Sequence, residues 1–146
     1  MLITCILKDG VVYLPTVAKT EAGFYMDREP VALVPVTNPD ALRQALKDAA
    51  RRGNPIVPTP KRNAFPSPVL PKYAGVKSWS KFMQGASEWT IAEDKGAYRI
   101  VPYRKDPTGG PSWVEDRDHK IDFPPGTTAD EAFSRMIAIL QDAARR

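Results

Sequence analysis

Six carboxylates fall in two short stretches of this chain, Glu93-Asp94 and Glu115-Asp116-Arg117-Asp118 continued by Asp122. The only histidine, His119, lies among the second group. Acids around an imidazole are the raw material of a general base or a metal centre. Strand alternation argues against both. An extended backbone puts His119, Ile121 and Phe123 on one face and Asp118, Lys120 and Asp122 on the other. The nearest carboxylates then point away from the ring, which predicts an ordinary histidine at the rim of the core. Three acids with no histidine on their side make a poor metal site, so no metal, cofactor or catalytic residue is assigned. The same alternation gathers Asp116, Asp118 and Asp122 on one exposed face, with Glu115 close by and Glu93-Asp94 at another turn. That face is either a solvated charge run or a contact surface for a basic partner.

A second constellation is basic. Lys61, Arg62, Lys72, Lys77 and Lys81 stand within residues 54–82 without one Asp or Glu. The remaining sixteen cations face seventeen acids, so this stretch carries the whole net charge of +4. Phe65, Tyr73, Trp79 and Phe82 interleave with the cations. Cations tracking phosphates beside aromatics that stack on bases is a common way to hold single-stranded nucleic acid. Trp79 and Phe82 are also spaced three apart, as core contacts would be. Prolines 55, 58, 60, 66, 68 and 71 exclude a helix, because each removes a backbone donor and fixes φ. The favoured reading is a proline-rich cover sealing one side of the domain, with solvated lysines.

Other chemistry is scarce. Cys5 is the single cysteine, so no internal disulfide forms, and its apolar surroundings Leu2–Leu7 predict a buried, inert thiol. The chain contains no HExxH, GxSxG, Walker A or dinucleotide-binding pattern. Gly109-Gly110-Pro111-Ser112 resembles a phosphate loop superficially, but phosphate loops lead into a helix and here a strand is expected.

These residues need elements to position them. Leu2–Leu7 and Val11–Val17 flank Lys8-Asp9-Gly10, a strong hairpin signal. Gly23 precedes a short run at Phe24-Tyr25-Met26. Val31–Val36, bounded by Pro30 and Pro35, reads as an edge strand or as strand ends. Asn38, Pro39 and Asp40 open a helix to residue 52, striped by Leu42, Ala45, Leu46 and Ala49 and closed by Gly53. Ser78–Gly85 suggests a short helix. Glu88–Ala92 and Tyr98–Arg104 make a hairpin around Glu93-Asp94-Lys95-Gly96. Ser112–Glu115 and His119–Phe123 are expected to pair around Asp116-Arg117-Asp118. A capping box, Thr128 with Glu131, starts a last helix to about residue 144. The fold class is therefore α+β: antiparallel sheet of about six to eight strands, two main helices at about 39–52 and 128–144, and a proline-rich irregular segment between them.

The chain has 146 residues, 42% of them apolar, which suits one domain, 1–146, able to bury roughly two-thirds of its unfolded surface. It lacks a basic leader and an apolar run of membrane-spanning length, which predicts a cytoplasmic protein with no membrane partner. Taken together, Lys72-Tyr73-Ala74-Gly75-Val76-Lys77-Ser78-Trp79, Tyr98–Tyr103, Trp113–Asp116 and Ile121–Pro124 resemble the immunity proteins encoded beside bacterial contact-dependent growth-inhibition toxins. The resemblance implies a non-enzymatic inhibitor. Such a protein binds the C-terminal nuclease domain of one cognate toxin, typically a tRNase, in a 1:1 complex and blocks its active site. Members of that family diversify with their toxins, so the resemblance assigns no binding residue. The charge pattern nominates Glu115, Asp116, Asp118, Asp122, Glu93 and Asp94, with Tyr103 and Trp113 as aromatic anchors. In this reading the protein does not touch nucleic acid directly. The alternative is a nucleic-acid-binding module using Lys61, Arg62, Lys72, Lys77 and Lys81. A magnesium-dependent hydrolase built on the acidic cluster ranks third.

Overall fold

Asp9 and Gly10 both adopt positive φ, 51° and 77°. That backbone closes a tight hairpin whose twist matches the strands it joins. The strands are β1 (Leu2–Lys8) and β2 (Val11–Thr20). The computed structural model describes residues 1–110 and 112–146. Among these, the chain continues through β3 (Tyr25–Pro35), α1 (Pro39–Arg52), β4 (Ile56–Val57), α2 (Trp79–Met83), β5 (Ser87–Asp94) and β6 (Ala97–Lys105). It ends with β7 (Trp113–Glu115), β8 (Ile121–Asp122) and α3 (Ala129–Ala144). Short 3₁₀ turns lie at Pro71–Ala74 and Arg117–His119. No helix among the described residues is long and apolar enough to cross a membrane.

The strands form one eight-stranded sheet of order β3-β2-β1-β5-β6-β7, with β4 added in parallel to β2 and β8 antiparallel to β6. Val31–Pro35 lies on the edge strand, as its flanking prolines require. The 112–115 and 119–123 segments do not pair with each other. Both pair with β6, β7 through Tyr103, Arg104 and Lys105 and β8 through Arg99 and Ile100. Pro111 of the glycine-rich loop lies outside the described residues; a strand, not a helix, follows at Trp113.

Alternation divides the sheet's side chains between two faces. Ile3, Cys5 and Leu7 of β1, Val12 and Leu14 of β2, and Trp89 and Ile91 of β5 pack against Leu42 and Leu46 of α1 and Phe133, Met136 and Leu140 of α3. Both helices begin as the sequence dictates. Asn38 accepts a hydrogen bond from the Ala41 N–H, and Thr128 with Glu131 completes a capping box.

The opposite face is covered in part. Ile6 and Tyr13 meet Leu70, Phe82, Met83 and Ala86, with Trp79 and Trp113 half-buried at the margin. Phe82 is fully buried, its ring 5.2 Å from Tyr13 edge-to-face and 5.6 Å from Trp79 in a stack. The proline-rich segment is thus a cover, built on the three-residue spacing of Trp79 and Phe82. Its Lys72 and Tyr73 both bind Glu29 on β3, the phenol at 2.7 Å, and tie the cover to the sheet edge.

Candidate functional site: an acidic concavity on the open half of the sheet

Beside the cover the same face stays open. There β1 and β2 part: their pairing holds only from Ile6–Tyr13 to Lys8–Val11. The register of β2 against β3 shifts at Pro15/Thr16. The gap is bridged by one side chain. Asn54, just after α1, accepts a hydrogen bond from the Leu2 N–H and donates to the carbonyls of Leu2 and Val17, each at 2.9 Å. A primary amide reproduces there the donor and acceptor pattern of a missing strand.

Over this splay lies a concavity of about 570 Å³. Leu2 and Thr4 of β1 and Val17 of β2 contribute to its walls. The alternation that sends Trp89 and Ile91 to the helices sends Glu88, Thr90 and Ala92 into it. Asp27 and Tyr25 enter from β3, Tyr103 from β6, Glu115 from β7, and Glu93-Asp94 from the end of β5. Five acidic residues therefore line it, and among the described residues no lysine, arginine or histidine does. Two cations reach its edge: the amino terminus, which donates to the Glu93 carbonyl at 3.0 Å, and Arg117, whose Nε donates to Glu115.

Unpaired acids gathered in a partly desolvated hollow hold their protons more tightly. Burial, reinforced by the charge of Asp27, pushes the Glu88 carboxyl up to about 7, and burial pushes Asp27 up to about 6. Burial, then the charges of Glu115 and Glu88, raises the Tyr103 phenol. Glu88 therefore senses Asp27 across the concavity, and Tyr103 senses Glu115 and Glu88. Cys5 lies on the helix side and is buried; burial and then the Glu88 charge push its thiol up to about 12, so it is inert.

Of the residues nominated from the sequence, Glu93, Asp94, Glu115 and Tyr103 meet in this hollow. The others do not join them. Arg117–His119 is a 3₁₀ turn, and a turn brings i and i+3 together where a strand separates them. His119 Nδ1 accordingly lies 2.7 Å from Asp116 Oδ2, and the histidine is exposed rather than set at the core rim. The strand alternation expected to gather Asp116, Asp118 and Asp122 on one exposed face is absent, because a 3₁₀ turn stands at Arg117–His119. Asp122 instead binds Arg99 Nε at 2.6 Å and Lys120 at 3.1 Å, and Arg99 first, then Lys120, holds its carboxyl below the usual range. Glu115 also receives Arg117 Nε at 2.9 Å at the rim. Trp113 belongs to the apolar cover. Lys61, Arg62, Lys72, Lys77 and Lys81 are all exposed, while their aromatic neighbours Trp79 and Phe82 are engaged in packing and only Phe65 and Tyr73 are exposed. Asp27 and Glu88 were missed. The available signal was Glu88-Trp89-Thr90-Ile91-Ala92, whose alternation leaves one acid on the face opposite two large apolar residues.

Among the described residues no three His, Cys, Asp or Glu side chains are disposed to hold a metal ion. No protein-family model matches the chain, and no curated protein sequence matches it. Among solved structures it is similar to a protein of unknown function from Neisseria meningitidis, NMB0488, at 11% identity and a TM-score of 0.64 over 97% of this chain and 93% of that one. At that identity the likeness is one of fold.

Proposed function

We propose that this protein is a cytoplasmic, non-enzymatic immunity protein that neutralises a contact-dependent growth-inhibition toxin by docking its acidic concavity against the basic substrate cleft of the toxin's C-terminal nuclease domain. The observation that carries the reading is the concavity itself: five acidic residues drawn from three strands, with no cationic side chain among its lining residues. Such a surface mimics the phosphates that a nuclease cleft is built to attract. Its charge accelerates encounter and rejects wrong partners, and the aromatic surface of Tyr103 and Tyr25 adds affinity. Asp116, Asp118 and Asp122 flank the site at the β7–β8 end and are secondary to it.

The test is co-purification with the C-terminal domain of a large toxin encoded beside this gene. A stable 1:1 complex is expected, weakened at least about a hundredfold by Glu88→Lys with Glu115→Lys, since each is a charge reversal against a basic cleft. Reversal of Asp116, Asp118 and Asp122 together is expected to cost about tenfold or less, because two of the three already have partners in the free protein. Undiminished binding by the Glu88/Glu115 variant overturns the proposed surface. The nucleic-acid alternative rests on the five exposed cations of the cover and demands RNA affinity that falls steeply with salt.

A further inference from the structure

We propose that the concavity is a receptor for one guanidinium group, the side chain of an arginine presented by the partner. This deepens the docking reading and rests on it. The first acceptor is Asp27, whose carboxyl is largely enclosed but still reached by solvent and has no hydrogen-bond or ion-pair partner among the described residues. Glu88, from β5, is the second acceptor without a partner. Glu115 stands at the rim on β7, and Tyr103 on β6 supplies aromatic surface between them. An enclosed acid normally finds a donor inside its own chain. Two that lack one, in a hollow of about 570 Å³ open to solvent, leave acceptors pointing at an absent donor.

The chemistry of the lining selects the occupant. Acceptors reach the space from three separate strands, which suits a planar group with five donors spread around its edge. A guanidinium is weakly hydrated and stacks on phenol rings, whereas an ammonium is compact, strongly hydrated and loses more on enclosure. A metal ion is disfavoured because among the described residues no three ligating side chains converge closely enough to hold one.

Binding a cation requires the acids to ionise. The titratable and charged groups around Glu88 are Asp27 and Tyr25 from β3, Tyr103 from β6, Glu115 from β7 with its partner Arg117 at the rim, Glu93 and Asp94 from its own strand, and the Met1 ammonium. With Glu88 titrating near 7 and Asp27 near 6, occupancy takes protons off both, so affinity rises between pH 5.5 and 8.

The experiment is a titration of the ¹⁵N-labelled full chain with N-acetyl-L-arginine amide, followed by amide shifts. Saturable shifts at Thr90, Ala92 and Tyr103 are expected at pH 8, about tenfold weaker in affinity at pH 5.5. N-acetyl-L-lysine amide should bind at least about fivefold more weakly than the arginine compound. Asp27→Asn with Glu88→Gln should abolish the shifts, and this variant keeps its fold because it removes unpaired charges rather than contacts. No saturable shift at those amides at pH 8, equal affinity for the lysine compound, or an undiminished response of the double variant each overturns the guanidinium receptor. The two proposals fail separately. A toxin complex without arginine binding leaves docking intact and rejects the receptor; arginine binding without any partner complex does the reverse.

Discussion

Glu88 and Asp27 are held where they weaken the free protein. A carboxyl raised from 4.5 to about 7 on folding binds more protons in the native than in the unfolded state between those values. Native stability therefore falls as pH rises through that window and is not recovered above it. Glu88→Gln removes the penalty, and the variant should be more stable than the parent at pH 8 by about 1–3 kcal/mol, with the advantage gone at pH 4.5. Urea unfolding at the two pH values measures this, and an equal difference at both would show that Glu88 is not held protonated by its surroundings. Groups that destabilise the free fold persist where binding needs them. Neither residue was identifiable in advance as a pair. Glu88 was placed on a strand, but that Asp27 approaches it from the sheet's far edge depends on tertiary pairing that no local pattern encodes.

At the level of elements, what the chain writes locally was readable and what it writes at a distance was not. The Asp9-Gly10 hairpin, both capped helices and the core stripe of α1 rest on contacts within a few residues, and they stand where their signals place them. The strands at 113–115 and 121–122 are only three and two residues long, and their partner is β6 rather than each other. A stretch that short carries too little alternation to define a face, so extending strand alternation back over Asp118 and His119 fails: both belong to the 3₁₀ turn Arg117–His119. Asn54 is the clearest silent residue: it looked like the start of an irregular segment and proves to join two strands. Asn54→Ala leaves the Leu2 N–H and the Leu2 and Val17 carbonyls without partners, at a cost of about 2–4 kcal/mol. Chemical denaturation should register that loss, together with faster amide exchange at Leu2 than at Ile6, which stays paired to β2. Unchanged exchange at Leu2 would mean that the splay is held by the flanking strands alone.

Across the whole molecule the charge asymmetry lies on one face of the sheet. Helices cover the other face, while the cover with its five cations sits directly beside the acidic hollow, and Asp27 borders both. This arrangement gives the two functional readings opposite signs in a single measurement. For a basic protein partner the cover repels and the hollow attracts. Neutralising Lys61, Arg62 and Lys77 with glutamine should then raise the association rate by about two- to fivefold at low salt, while Glu88→Gln with Glu115→Gln lowers it. Both effects should shrink as ionic strength rises from 0.01 to 0.15 M and the screening length falls to about 8 Å. These three cations form no ion pair among the described residues, so removing them leaves no buried charge behind and the fold is not at risk. If the cover instead tracks phosphates, the same triple substitution abolishes binding to single-stranded RNA and flattens its salt dependence. Stopped-flow association with the toxin domain and RNA binding at low salt, run on one variant, separate the readings: a faster encounter supports the acidic hollow as the contact surface, and a lost RNA complex transfers function to the cover.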